Sequence, residues 1–226
     1  FADRFQIAVT ADNRKLVAES DIVILAVKPQ QFSDMLKTVA DLFTERHLIV
    51  SIMAGVSTRT IESYFAPRAI RVVRAMPNLP IHVGAGMAGV CRGTHALPVD
   101  LLRAQRIFDA GGRSVVIEDE SQMDAITALS GSGPAYFYYF VEALTTAGER
   151  VGLTRQMSEI LAKQVCFGAA RMMLETQEPP ATLRAKVTSP GGTTQAAIES
   201  MTANKVFDHI IEGVSAACKR SQELGR

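Results

Sequence analysis

Basic runs, paired cysteines and long apolar stretches are missing from this chain, and each absence argues against a class of function. Its 226 residues carry 24 lysines and arginines against 23 aspartates and glutamates, for a net charge of +1. With no basic run there is no field to hold a nucleic-acid backbone or an anionic membrane surface, so neither is expected as a partner. Cysteine is scarce. Cys91, Cys166 and Cys218 stand far apart, without the spacing of a metal site or a disulfide framework, which points to reduced thiols, a cytoplasmic chain and no metal. The most apolar run, Ala135 to Val141, stops at Glu142, well short of a membrane span. His47, His82, His95 and His209 have no partner at catalytic or metal spacing and read as surface or loop residues, with His82 the one considered for a place near a site. No secretory leader is visible, and Phe1-Ala2-Asp3 is not a natural initiation, so residues are expected to precede it.

What is present suits a folded core. Apolar residues make up 47% and charged residues 21%, and the length accommodates one large domain or two ordinary ones. Residues 1–118 alternate strand and helix patterns. A short strand is expected at Ile7–Val9, then a helix capped by Asp12 or Asn13 and running through Glu19. Asp21 to Val27 is an unbroken β-branched run closed by Lys28-Pro29, which reads as a parallel strand buried on both faces. Gln31 to Phe43 places Met35, Leu36, Val39 and Phe43 on one helical face. Strands follow at 48–52, 70–75, 87–90 and 114–117. Helices are expected from Ser57 or Thr58 to Phe65 and from Val99 to Asp109. This alternation predicts a doubly wound α/β domain.

After Glu118-Asp119-Glu120 the pattern is helical throughout: 122–129, 134–150, 155–176, 180–187, 194–201 and 206–224. The helix opened by Pro134 is apolar nearly all round (Tyr136, Phe137, Tyr138, Phe140, Val141, Leu144) and must be covered on every side. A bundle of this size hardly covers it alone, so a dimer packing helices from both chains is expected. The domains are read as 1–118 and 119–226.

Two hydroxyl- and glycine-rich stretches open helices. In Thr188-Ser189-Pro190-Gly191-Gly192-Thr193-Thr194, glycines that permit positive φ, four hydroxyls and the free N–H groups of a helix start make a small anion site, suited to a carboxylate or a phosphate. Leu129-Ser130-Gly131-Ser132-Gly133-Pro134-Ala135-Tyr136 is the second. Three further segments, Ala26-Val27-Lys28-Pro29, Ala54-Gly55-Val56 and Met76-Pro77-Asn78, fall at strand ends, where an open parallel sheet binds its ligand. Lys28 reads either as a catalytic lysine or, at a sheet rim, as a contact to phosphate or ribose. The cluster Glu118-Asp119-Glu120 with Asp124 reads as a solvated hinge rather than a metal site, with Glu120 or Asp124 able to face a ligand. A dinucleotide fold also carries a glycine-rich first turn, and none is present here, so the first β-α unit is expected to be missing.

Taken together, Ala26–Pro29, Ala54–Val56, Arg74–Asn78, Leu129–Tyr136 and Thr188–Thr194 run across nearly the whole chain in the order found in pyrroline-5-carboxylate reductases, the family this sequence resembles. The resemblance implies an α/β Rossmann-type N-terminal domain, its first β-α unit absent, and an all-α C-terminal dimerisation domain that interlocks with a second chain, with decameric rings of dimers common in the family. It implies reduction of 1-pyrroline-5-carboxylate to L-proline with NADPH, or NADH, as hydride donor. By the same resemblance Asn13, Val27, Lys28, Pro29, Ala54 and Gly55 contact the dinucleotide and Pro77 and Asn78 flank the nicotinamide. Glu120, Ser189, Gly191, Gly192, Thr193 and Thr194 hold substrate, with Thr194 the candidate for contact with the imine nitrogen. The sequence departs from the family at Leu79, where threonine is usual, at Met53, where alanine is usual, and in the absent glycine turn. The choice between NADPH and NADH falls in that missing part or at Phe1-Ala2. Rival readings are a hydroxy- or keto-acid reductase, for which Lys163 and Lys186 are the candidate proton carriers, and a cofactor-free scaffold that dimerises through its helices.

Overall fold

In the computed structural model, residues 2–225 are described; Phe1 and Arg226 lie outside them. The chain forms two compact units, residues 1–132 with 217–226, and residues 133–216. Strand patterns give way to helix near 118 as expected. The first compact unit nevertheless extends to Ser132, because Met123 and Ile126 pack with Cys91 and Ile117 in one small core.

The first unit is built on one sheet. Its strands are β1 (Ile22–Leu25), β2 (Leu48–Ser51), β3 (Arg71–Pro77), β4 (Gly86–Arg92) and β5 (Gly112–Val116), in the order β1-β2-β3-β4-β5. β1, β2 and β3 are parallel and in register from Ile22, Leu48 and Arg71. β4 runs antiparallel to β3, and β5 parallel to β4. The expected parallel sheet is thus present in β1–β3 and continued by a mixed part, β4 and β5. The turn made by Leu79–Val83, closed by Gly84 in the left-handed region at φ 71°, sends the chain straight back instead of through a crossover helix.

Helices cover the two faces unequally. α2 (Asn13–Ala18), α3 (Pro29–Lys37) and α4 (Thr58–Ser63) surround the cluster of Val17, Val23, Leu25, Phe32, Leu36, Ile49, Ile61 and Val72. α5 (Pro98–Asp109) lies against β3, β4 and β5, over Leu48, Val50, Val73, Ala88, Val90 and Phe108. β2 is thus buried on both faces along its whole length. The expectation for the Asp21–Val27 run is corrected. Among the described residues β1 pairs with β2 alone, and Ile22 and Ile24 are 36% and 45% exposed while Val23 and Leu25 are buried. Ile7–Val9 forms no strand either and is exposed; α1 (Ala2–Phe5) precedes it. His47 is also not a surface residue. It is buried, with Nδ1 accepting from the Thr44 amide at 2.9 Å and Nε2 3.3 Å from the Val17 carbonyl oxygen, so it joins the end of α2 to the start of β2.

Local signals set several helix ends as expected. Asp12 caps α2 by accepting from the Arg14 and Lys15 amides, and Ser57 caps α4 by accepting from Thr60. Beyond α6 (Met123–Ile126), Thr127–Gly131 widens into a π-helical turn. This turn contains Leu129-Ser130-Gly131, and π turns inside helical runs recur where a sequence shapes a site. The second unit contains α7 (Gly133–Arg150), α8 (Arg155–Thr176), α9 (Pro180–Lys186), α10 (Thr193–Ala203) and the larger part of α11 (Val206–Leu224). Gly152, at φ 100°, and the Thr154 cap separate α7 from α8. Among the described residues no helix is long and apolar enough to cross a membrane.

Candidate active site

Because β1, β2 and β3 are parallel, their carboxyl ends lie along one edge of the sheet. Ala26–Pro29, Met53–Gly55 and Pro77–Asn78 follow those ends directly. Val27 is half-buried against the core, Lys28 is exposed at the N-cap of α3, and Pro29 opens that helix. Ala54 and Gly55 are half-buried, with Gly55 at φ 75°. Small residues at a carboxyl edge, with the exposed Lys28 beside them, fit a dinucleotide that approaches the backbone. Asn13 opens α2 and is exposed. The two departures from the family pattern have different fates. The Met53 side chain is buried in the core, whereas Leu79 is 61% exposed.

Asn78 is engaged by protein on both sides of its carboxamide. Its Nδ2 donates to the Ser130 carbonyl oxygen at 3.1 Å, and its Oδ1 accepts from the Met87 amide at 2.9 Å. A methyl group at Gly131 would stand 2.8 Å from the Met76 side chain. The Leu129–Gly131 motif is thereby explained within this unit as the π turn that seats the end of β3.

Glu120 has partners that the sequence did not reveal. Its Oε1 accepts from the Thr58 amide at 2.9 Å and from Arg74 Nη1 at 3.0 Å, and its Oε2 accepts from the Thr58 hydroxyl at 2.5 Å. The Arg74 side chain is 6% exposed and that of Glu120 24%. This charge-assisted network ties β3 and the start of α4 to the segment entering α6. Cys91 stands opposite Arg74 on β4; burial, with the nearby Glu120 charge, pushes its thiol up to about 12, so it stays protonated and unreactive. Gly55 and Glu120 line one cleft of about 370 Å3 together with Arg59, Arg74 and Asp124. The structure thus places an expected cofactor contact and an expected substrate contact side by side.

In the second unit, the Thr188–Thr194 stretch is the turn between α9 and α10. Gly191 lies at φ 71°, where a side chain would be strained, and its amide donates to Gln195 Oε1 at 2.7 Å. The Gly192 amide donates to the Ser189 carbonyl oxygen at 2.9 Å. Gly192 is the N-cap of α10 and brings no side-chain acceptor, so the first-turn amides of Thr193 and Thr194 are not capped by a side chain. Ser189, Gly191 and Thr193 are exposed and Thr194 is half-buried. The lysines of the rival reading are exposed and committed, Lys163 to Glu159 at 3.3 Å and Lys186 to Glu178 at 2.5 Å. His82 is exposed on the Leu79–Val83 turn, and His209 lies on α11 beside Glu212.

A mostly parallel sheet with small residues along its carboxyl edge defines the class first, that of the nucleotide-dependent oxidoreductases. Residues 1–55 match the family described as NADP oxidoreductase, coenzyme F420-dependent. Residues 120–224 match the family described as pyrroline-5-carboxylate reductase dimerisation. Over 222 residues the chain is 43% identical to a pyrroline-5-carboxylate reductase of Synechocystis, covering 98% of this chain and 82% of the relative. Two solved structures are similar throughout. The pyrroline-5-carboxylate reductase of Coxiella burnetii aligns at TM-score 0.93 and 38% identity, over 100% of this chain and 83% of that one. The pyrroline carboxylate reductase of Plasmodium falciparum, with NADP bound, aligns at 0.87 and 31%, over 96% and 82%. This chain belongs to the pyrroline-5-carboxylate reductase family.

Proposed function

We propose that the chain reduces 1-pyrroline-5-carboxylate to L-proline in the cytoplasm, working as a homodimer through its C-terminal helices and assembling further into rings as large as a decamer. Residues 1–118 carry dinucleotide binding, and residues 119–226 carry substrate binding and dimerisation. The observation that supports this reading best is the start of α10, an 11-residue helix whose cap is a glycine and whose first turn carries two threonines.

The substrate is a small cyclic imine with one carboxylate. Ser189, Gly191, Gly192, Thr193 and Thr194 anchor that carboxylate through amides and hydroxyls at the helix start. The helix dipole adds roughly 0.3–1 kcal/mol there, and direct charge-assisted hydrogen bonds add more. In this reading the Thr194 hydroxyl hydrogen-bonds the ring nitrogen, and Glu120 contributes the remaining lone pairs of its carboxylate. Asn13, Val27, Lys28, Pro29, Ala54 and Gly55 hold the dinucleotide, NADPH or NADH, along the carboxyl edge of the sheet. Lys28 suits its phosphates by charge. Pro77 and Asn78 border the nicotinamide by position, since the Asn78 carboxamide already spans Ser130 and Met87. When bound, NAD(P)H supplies the hydride. The protein's part is to hold two reactants in line, an arrangement worth roughly 7–11 kcal/mol.

The test is oxidation of NADPH and of NADH by the complete gene product with 1-pyrroline-5-carboxylate, beside Thr194→Val. Rapid oxidation in the parent, with kcat lowered about tenfold or more in the variant, is expected for a hydrogen bond strengthened in the transition state. A rise in KM alone would reduce Thr194 to a binding residue. No oxidation with either cofactor from a folded protein would overturn the assignment.

A further inference from the structure

We propose that the end of α11, Ser221–Gly225, is a positioning element that holds the Ala54-Gly55 turn in the shape that receives the dinucleotide. The inference rests on the reading of Ala54 and Gly55 as cofactor contacts. Gly55 lies in the left-handed region, and its open side faces main chain. A methyl group built there would stand 3.1 Å from the Gly225 nitrogen and 3.1 Å from the Leu224 carbonyl group. Seen from the other partner, a methyl group on Gly225 would stand 2.7 Å from the Gly55 carbonyl oxygen. Two backbones therefore meet with no side chain between them. Contact of that kind leaves no rotamer to absorb a displacement, so the position of one segment sets the position of the other.

The helix end is itself fixed. Ser221 is only 5% exposed on a helix otherwise open along most of its length, and its Oγ donates to Asp124 Oδ1 at 2.6 Å, across 97 residues of sequence. Asp124 follows Met123, which is buried in the core beside Cys91 and Ile117. The Gly55 turn is held downstream as well, because Thr58, three residues on, is bound through its amide and its hydroxyl to Glu120. Gln222 and Gly225 line the same cleft as Gly55 and Glu120. The turn is thus braced from α4 on one side and from the end of α11 on the other, which is the surrounding support that a close backbone contact to a ligand requires.

The experiment compares Ser221→Ala, Gly225→Val and Asp124→Asn in the intact protein. NADPH affinity is read by fluorescence titration, and kcat, both KM values and Tm are read alongside. Ser221→Ala and Gly225→Val are expected to weaken NADPH binding roughly threefold to tenfold, because a loosened turn misplaces its contacts, while kcat and the KM for 1-pyrroline-5-carboxylate stay within about twofold. Asp124→Asn keeps an oxygen acceptor for the Ser221 hydroxyl and is expected to bind NADPH like the parent. Unchanged NADPH affinity in both folded variants would overturn the proposal. So would a lowered Tm or a smaller active fraction with an unaltered KM for NADPH, since the helix end would then be structural only. A parent protein that does not bind NADPH at all would instead remove the cofactor reading beneath it.

Discussion

The two units of this chain bury their apolar residues very differently. Nearly all of the buried hydrophobic residues lie in the sheet unit, where β2 is sealed on both faces. The helical unit keeps only Gly133, Thr145, Ser158 and Ala162 buried, while Phe137, Tyr139, Phe140, Ile160, Phe167 and Ile210 are exposed, Tyr139 to 75%. A sheet with helices on its faces closes a core locally. A few helices with apolar residues on most sides do not, and exposed patches of this kind mark a surface that another chain covers. The match of residues 120–224 to a dimerisation family agrees with that division of labour.

The largest expected effect breaks this comparison where it is weakest. Phe137→Asp with Ile160→Asp puts two charges on the exposed helical faces. If a second copy covers them, the variant sediments as a monomer and loses essentially all activity, because an obligate dimer has no stable folded half. A variant that stays dimeric and active would show that these faces are solvent-exposed in the working protein. The sheet unit is tested next by Leu36→Ala, on the buried face of α3 in its last turn. Removing a fully buried leucine costs roughly 2–5 kcal/mol, and that loss is expected to be independent of protein concentration. Chemical denaturation at two concentrations separates the two kinds of loss.

Glu120→Gln sharpens the comparison at the junction of site and scaffold. The substitution leaves the buried Arg74 guanidinium without a charged partner. Loss of one partner of a buried pair typically costs about 3–5 kcal/mol, and the partial exposure of Glu120 places the expected loss at roughly 2–3 kcal/mol. A destabilised protein with an unchanged KM for 1-pyrroline-5-carboxylate would make Glu120 structural. A raised KM at unchanged stability would make it a substrate contact.

Where the sequence was legible, the signal was local. Leu36 marks the core face of α3, whereas Val39 and Phe43, expected on the same helix, reach that core from the turn beyond its end at Lys37; the caps at Asp12, Ser57 and Thr154 mark helix starts by their own side-chain chemistry. Glycines at 191 and 192 opened a helix as read. What was not legible depends on pairing across the chain. Nothing in Asp21–Val27 says that Ile22 and Ile24 are exposed, and nothing near Gly86 says that β4 will turn back on β3. His47 sits between polar neighbours in sequence, and only the meeting of α2 with β2 buries it. Asp100 is likewise buried against Arg71, 29 residues away. At the site, the rim segments were readable because strand ends carry turn residues. The ties of Glu120 to Thr58, 62 residues away, and of Asn78 to Ser130, 52 residues away, were not.

The smallest effect is expected at the surface of the sheet unit, and it measures how little that unit depends on its exposed charges. Arg14 meets Asp41 through two hydrogen bonds, at 2.8 and 2.7 Å, with both side chains more than half exposed. The hydrogen bond from Arg14 holds the Asp41 carboxyl below its ordinary value of 3.8, while partial desolvation opposes it. A depressed carboxylate contributes stability that is fully present above its unfolded value and is lost as the pH falls through the folded one. At neutral pH the contribution is therefore at its greatest, yet water screens it and two long side chains lose freedom to make it. Arg14→Ala is accordingly expected to melt together with the parent at pH 7, and any small gap between them is expected to shrink as the pH falls below 3.8 and to close once it passes through the lowered folded value of Asp41. A clear gap at pH 7 that persists in acid would show that Arg14 acts through its bond to the Thr38 carbonyl oxygen at 2.7 Å and not through the ion pair.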